Sequence, residues 1–208
     1  HLADGRTMSV AKFSLSFEGA ISDEGQIDLY DVAESIRGFQ RSLALTTHLI
    51  INDEIITQAT ALRGATILSG SPEDGSWKIA AWVLAGTLTA AYNVLSLPPD
   101  NPLGHIIHSA YDYVVSETLG CHVDYDETLG ELIKRCNPDQ PASKLDQNRF
   151  DSLIEKCEPA IKQMHRPIVF SKTAEKGKIE SRVGKANRFL SYSLSPMTFE
   201  YIDQTFTS

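Results

Sequence analysis

A single α+β domain is the fold class this sequence predicts, and three observations predict it. Period-2 alternation opens the chain, helical periodicity fills its middle, and extended segments return near its end. The length of 208 residues with 42% hydrophobic and 22% charged side chains is ordinary for one globular core. Strands at both ends around a helical middle therefore place residues 8–208 in one unit, with short C-terminal strands. Residues 1–7, HLADGRT, precede Met8 and read as an expression remnant. The closing segment "MTFEYIDQTFTS" has no capping feature and suits a cut between domains, the chain then being the N-terminal part of a longer protein.

The first element is a strand. In "KFSLSFEG", Phe13, Leu15 and Phe17 alternate with Ser14 and Ser16, which suits a half-buried strand. Asp28 is then placed to cap a helix, with Asp31 in its first turn near the positive end of the dipole. Leu29, Val32, Ala33, Ile36, Phe39, Leu43, Thr47 and Ile50 recur at spacings of three and four. They form one apolar stripe, so residues 29–51 are predicted to be a long amphipathic helix. Gly38 weakens it slightly, and Asn52-Asp53 end it.

A β-hairpin follows. "GATILSG" and "SWKIAAWV" flank "SPEDG", whose Pro-Glu-Asp-Gly suits a type I turn closed by a glycine at positive φ. Trp77, Ile79, Ala81 and Val83 then share one face. The uncharged stretch "IAAWVLAGTLTAAYNVLSLPP", residues 79–99, is nearly long enough to span a bilayer. The hairpin claims its first part. In the remainder, Leu84, Leu88, Ala91 and Leu95 oppose Gly86, Thr89, Asn93 and Ser96, so Leu84–Leu97 reads as a sided core helix rather than a membrane span.

"PPDNP" breaks the chain, with Asn101 as N-cap and Pro102 at the first position of a helix over residues 103–119. A further helix is expected near residues 127–136, with Leu129, Leu132, Ile133 and Cys136 on one face. After the loop "NPDQPAS", Phe150, Leu153, Ile154, Cys157, Ile161 and Met164 make another stripe. Pro159 lies within it and is expected to kink or split the helix. "PIVFSKTAEKGKIESRVG" then reads as two short strands around a Glu-Lys-Gly turn, and "RFLSYSLS" and "TFEYIDQTF" as extended.

Function classes are bounded chiefly by charge and by missing motifs. Net charge is −8, which disfavours general affinity for nucleic acid or anionic lipid. Cys121, Cys136 and Cys157 are an odd set without a CxxC pair, which suits a reducing compartment, and no signal peptide follows Met8. A cytoplasmic location is the expectation. No phosphate loop, dinucleotide fingerprint, nucleophile elbow, HExxH or EF-hand loop is present, and no cofactor is expected.

The best metal candidate is "HIIHSAYD". His105, His108 and Asp112 at i, i+3 and i+7 offer two imidazoles and a carboxylate, with Cys121, His122 and Asp124 shortly after. The competing reading is a solvated face, because Ile106, Ile107, Ala110, Tyr111, Val114 and Val115 define the buried side. Cys136 and Cys157 read as core thiols, Asp53-Glu54 as a solvated acidic pair, and Trp77 and Trp82 as core or interface.

Charge is segregated along the chain. Residues 162–188 carry Lys162, Arg166, Lys172, Lys176, Lys178, Arg182, Lys185 and Arg188 against Glu175 and Glu180, a local charge of +6 that leaves −14 for the rest. Lys172, Lys176 and Lys178 are expected to converge around the predicted turn, with Arg182, Lys185 and Arg188 extending the patch. Aromatic residues that could stack on bases are sparse there, so a protein partner is preferred over nucleic acid.

A first strand ending "FEG", a long helix and a hairpin with "PEDGSWKI" resemble an uncharacterised bacterial domain-of-unknown-function family over residues 10–85. The resemblance implies no activity and no catalytic residues; it brings an association with phage-defence genes. Three functions follow as expectations. The first is a non-catalytic protein-binding or self-assembly module whose basic segment faces an acidic partner. The second is a metal-dependent hydrolase built on His105, His108 and Asp112. The third is a membrane-associated effector using residues 79–97, although a membrane partner is disfavoured.

Overall fold

The computed structural model describes residues 8–70, 77–86, 102–119, 127–182 and 197–200. The described elements are β1 (Met8–Glu18), α1 (Leu29–Asn52), β2 (Ala65–Ser69), β3 (Lys78–Ala85), α2 (Pro102–Thr118), α3 (Glu127–Lys134), α4 (Gln147–Met164), α5 (Arg166–Val169), β4 (Lys176–Arg182) and β5 (Met197–Glu200). The strands form one antiparallel sheet in the order β2-β3-β1-β4-β5. The architecture is α+β, as expected, and β1 and β5, the first and last described elements, belong to one sheet.

β1 is central because its alternation suits a strand paired on both edges. Phe13 lies opposite Ala81 and Ser181, and Leu15 opposite Ile79 and Ile179. Phe13, Leu15, Phe17, Val83 and Ile179 are fully buried on the inner face. The described helices cover that face, with α2 packed against β1, α1, α3 and α4. Tyr111 of α2 meets Phe13 edge-on, with centroids 5.3 Å apart at 83°, an arrangement that suits the opposed charge of ring edge and face.

α1 begins as its sequence dictates, for the Asp28 carboxylate accepts the Asp31 N–H at 2.9 Å. It ends at Asp53, which adopts φ 52° and donates its N–H to the Leu49 carbonyl. Its crossing with α4 depends on Gly38, where an added Cβ would stand 2.1 Å from the Ala160 carbonyl oxygen. Beside this crossing the Ser35 hydroxyl donates to the Met164 carbonyl at 2.9 Å, and Ser42 Oγ lies 2.8 Å from the Tyr111 hydroxyl. The Ser35 and Ser42 hydroxyls are thus satisfied, whereas the buried Thr47 hydroxyl makes no hydrogen bond among the described residues.

Several local expectations are corrected. Leu29, counted in the buried stripe of α1, is 81% exposed and stands beside exposed Tyr30. Strand β3 runs to Ala85, so Leu84 pairs across to Ser9 instead of opening a helix; residues 87–97 of that expected helix, and the break with Asn101 after it, lie outside the described residues. α4 continues through Pro159 without splitting. Pro159 is exposed, so the carbonyl that loses its partner faces water.

The region after Pro167 is also different. Arg166–Val169 is a helical turn with Pro167 at its start, and one strand runs straight through Lys176-Gly177-Lys178. Distant contacts decide this. Buried Asp31 accepts from Arg166 Nε at 3.0 Å and from the Ser171 N–H at 2.9 Å, and β4 is held in register along β1. "RFLSYSLS" lies outside the described residues, whereas the strand Met197–Glu200 takes in the first three residues of "TFEYIDQTF", the remainder of which also lies outside the described residues.

Candidate functional site

The sheet has a second face, and the pleat assigns its residues. Positions alternating with the buried Phe13, Leu15 and Phe17 on β1 are Lys12, Ser14, Ser16 and Glu18. Their partners on β3 are Trp82, Ala80 and Lys78, and on β4 Arg182, Glu180, Lys178 and Lys176. Strands β3, β1 and β4 thus bring Lys12, Lys78, Lys176, Lys178 and Arg182 to one face, against Glu18 and Glu180. The four lysines are half-exposed and Arg182 is exposed. Ser14 and Ser16 are small and buried between their long neighbours, whose alkyl stems can lie over them while the ammonium groups reach water.

Local electrostatics organise this face. Glu180 receives Lys178 at 3.0 Å and Lys78 at 3.4 Å. The hydrogen bond from Lys178 holds the Glu180 carboxyl below its ordinary range, although part burial opposes the shift. Lys12 Nζ stands 5.2 Å from the centroid of Trp82, a cation–π contact that fixes the indole at one end of the face. One shared carboxylate for two lysines leaves the face cationic.

The predicted basic segment separates into different fates. Lys176, Lys178 and Arg182 share one strand face rather than a turn. Lys172 lies in the preceding loop at φ 54°, exposed and outside β4. Lys185 and Arg188 lie outside the described residues. Lys162 pairs with Glu158 at 3.1 Å, and Arg166 is held by Asp31 and stacked 4.3 Å from Phe170 and 5.3 Å from Tyr30. Lys12 and Lys78 were not singled out from the sequence, yet a signal was there. Lys12 is in phase with Ser14 and Ser16, and Lys78 is out of phase with Trp77 and Ile79.

His105 and His108 do not lie on a solvated face, because α2 is enclosed; they are 4% and 5% exposed. His108 Nδ1 is hydrogen-bonded to the Ser181 hydroxyl across the helix–sheet contact. Burial, with the charge of His105 adding to it, pushes the His108 imidazole down to about 4. His105, one turn earlier on α2, lines a cavity in the helical layer, and Asp112 accepts from Ser116 Oγ at 3.1 Å. The three face different neighbours. Among the described residues no group of three His, Cys, Asp or Glu is placed to hold a metal ion. Cys121, His122 and Asp124 lie outside the described residues.

The remaining candidates are structural. Cys157 is buried and its thiol is pushed up to about 12 by desolvation, which makes it a poor nucleophile. Cys136 is half-buried, and burial raises its thiol as well. The acidic pair Asp53-Glu54 is ion-paired, Asp53 with Arg149 at 2.9 Å and Glu54 with Arg63. No helix among the described residues is long and apolar enough to cross a membrane.

An antiparallel five-stranded sheet, helices on its inner face and lysines on its outer face define an α+β domain of two layers. The chain belongs to the family described as Domain of unknown function (DUF7946), which it matches over residues 13–203. That match extends well past the segment 10–85 that carried the resemblance. No curated protein and no solved structure matches the chain.

Proposed function

We propose that this domain is a non-catalytic protein-binding module that docks an acidic protein surface on the outer face of its sheet. The observation that carries this reading is the convergence of Lys12, Lys78, Lys176, Lys178 and Arg182 from three strands onto one face. A rigid sheet holds these charges at fixed spacing, which favours register and steering in association. The partner of matching chemistry nearest to hand is a second copy, because the chain carries −8 overall while this face is cationic. Base recognition is disfavoured, since Trp82 is the face's one described aromatic ring on these three strands and Lys12 already occupies its π-face.

Light scattering tests the reading. The parent is expected to exceed monomer mass at low salt and to approach it at roughly 0.5 M salt, where exposed charges are screened beyond a few ångströms. The triple reversal Lys176→Glu, Lys178→Glu and Arg182→Glu should be monomeric at low salt with an unchanged circular-dichroism spectrum. A parent that stays monomeric at every concentration removes the self-assembly reading, and a triple variant that assembles like the parent removes the face.

A further inference from the structure

The helical layer contains a cavity of about 750 Å³. It lies between the C-terminal end of α1, the N-terminal end of α2, the C-terminal end of α3 and the loop through Ala142. Its inner wall is apolar and buried: Ile50 is 1% exposed, Ile106 4%, Leu132 7% and Ala142 4%. Its rim is polar and exposed, with Arg135, Asn137 and Gln140. The size falls within the roughly 300–1,000 Å³ of small-molecule sites, which combine an apolar body with a few polar groups.

The polar groups select the ligand. Arg135 supplies the only charged side chain among the lining residues, and its guanidinium makes no ion pair or hydrogen bond among the described residues. Of the two acidic residues four positions away in sequence, Glu131 is taken by Lys134 at 3.2 Å and Asp139 forms no ion pair with Arg135. The buried His105 ring lies in the same wall, next to the positive end of the α2 dipole. The negative end of α3 ends at this rim as well, but there Arg135 itself offsets it. An apolar floor with a single planar cation above it matches an amphipathic anion: the guanidinium fork can take both carboxylate oxygens while the hydrocarbon fills the cavity.

We infer that this cavity binds an apolar monocarboxylate, a medium-chain acyl or aryl acid, with its carboxylate on Arg135 and its body against Ile50, Ile106 and Leu132. The site uses none of the residues of the basic sheet face, so either can fail without the other. Decanoate, held below its micelle-forming concentration, and decanol are the probes, titrated by calorimetry into the purified chain. Decanoate is expected to bind with one-to-one stoichiometry and to raise the melting temperature as binding to the folded state alone requires.

Arg135 is exposed, so Arg135→Gln should fold normally; it is expected to weaken decanoate at least tenfold and to leave decanol unchanged. Ala142→Leu, which narrows the cavity from its wall, should weaken both. Equal binding of acid and alcohol, decanoate binding indifferent to Arg135→Gln, or no saturable binding at all would each overturn the inference. Should Ala142→Leu fail to fold, the contrast between decanoate and decanol in Arg135→Gln still decides it.

Discussion

Gly38 shows how one side chain's absence sets a helix crossing. By propensity alone, Gly38→Ala in the interior of α1 would stabilise by about 1 kcal/mol. Contact chemistry points the other way, because the new Cβ would meet the Ala160 carbonyl oxygen at 2.1 Å and Gln163 Cβ at 2.9 Å. The carbonyl belongs to helical backbone and cannot swing aside, so α1 and α4 must separate. Overpacking of this kind costs about 1–3 kcal/mol. Gly38→Ala should therefore lower the denaturant midpoint, and an unchanged or higher midpoint would show that the crossing opens freely. Asp31 is a second residue whose importance lies in its partners: its buried carboxylate ties α1 to Arg166 and Ser171, at 3.0 and 2.9 Å.

At the scale of elements, α4 tolerates a proline that the sequence marks as a break. Residues Phe150, Leu153, Cys157, Ile161 and Met164 keep their stripe against the core on both sides of Pro159. Burial of that stripe outweighs one lost backbone hydrogen bond on the solvent side. Pro159→Ala restores the missing N–H and relieves the ring's clash, so it should stabilise the protein by about 1–3 kcal/mol. Thermal unfolding checks this, and a lowered melting temperature would mean that the crossing at Ala160 depends on the proline's local geometry. Strand β4 gives the complementary case. Its "KGK" has the composition of a turn, yet pairing from Lys176 to Arg182 along β1 holds it extended and aligns its basic residues on one face.

For the whole molecule, burial of neutral histidines makes acid the natural stress. Desolvation holds His108 and His165 down at about 4, against an ordinary value of 6.5. His165 is fixed by its contact with the Ile161 carbonyl at 2.9 Å, so its Nδ1 carries the proton in the neutral ring. Below pH 6.5 the unfolded chain takes up protons on these rings and the folded chain does not, until the pH nears 4. Stability is thus fully present above pH 6.5 and falls as pH drops from 6.5 toward 4, by roughly 3 kcal/mol for each ring at most. Urea unfolding at pH 7, 6, 5 and 4.5 should show that decline, and His108→Gln should flatten it. A profile level across this range would contradict the buried neutral state.

Sequence by itself determined what depends on neighbours along the chain. The alternation of Phe13, Leu15 and Phe17 specified β1, the Asp28 cap and the three-four spacing specified α1, and paired hydrophobic runs specified the β2–β3 hairpin. Those patterns are local because side-chain direction follows from backbone period. Tertiary structure decided what depends on residues distant in sequence. Only the order β2-β3-β1-β4-β5 brings Lys12 beside Arg182 and Lys78 to the carboxylate that Lys178 also holds, the contact between Lys78 and Glu180 spanning 102 positions. Only the packing of α2 against the sheet and against α1, α3 and α4 buries His105 and His108, which on an isolated amphipathic helix would face water. Enclosure is a property of the assembled layers, and the spacing of residues within one helix does not encode it.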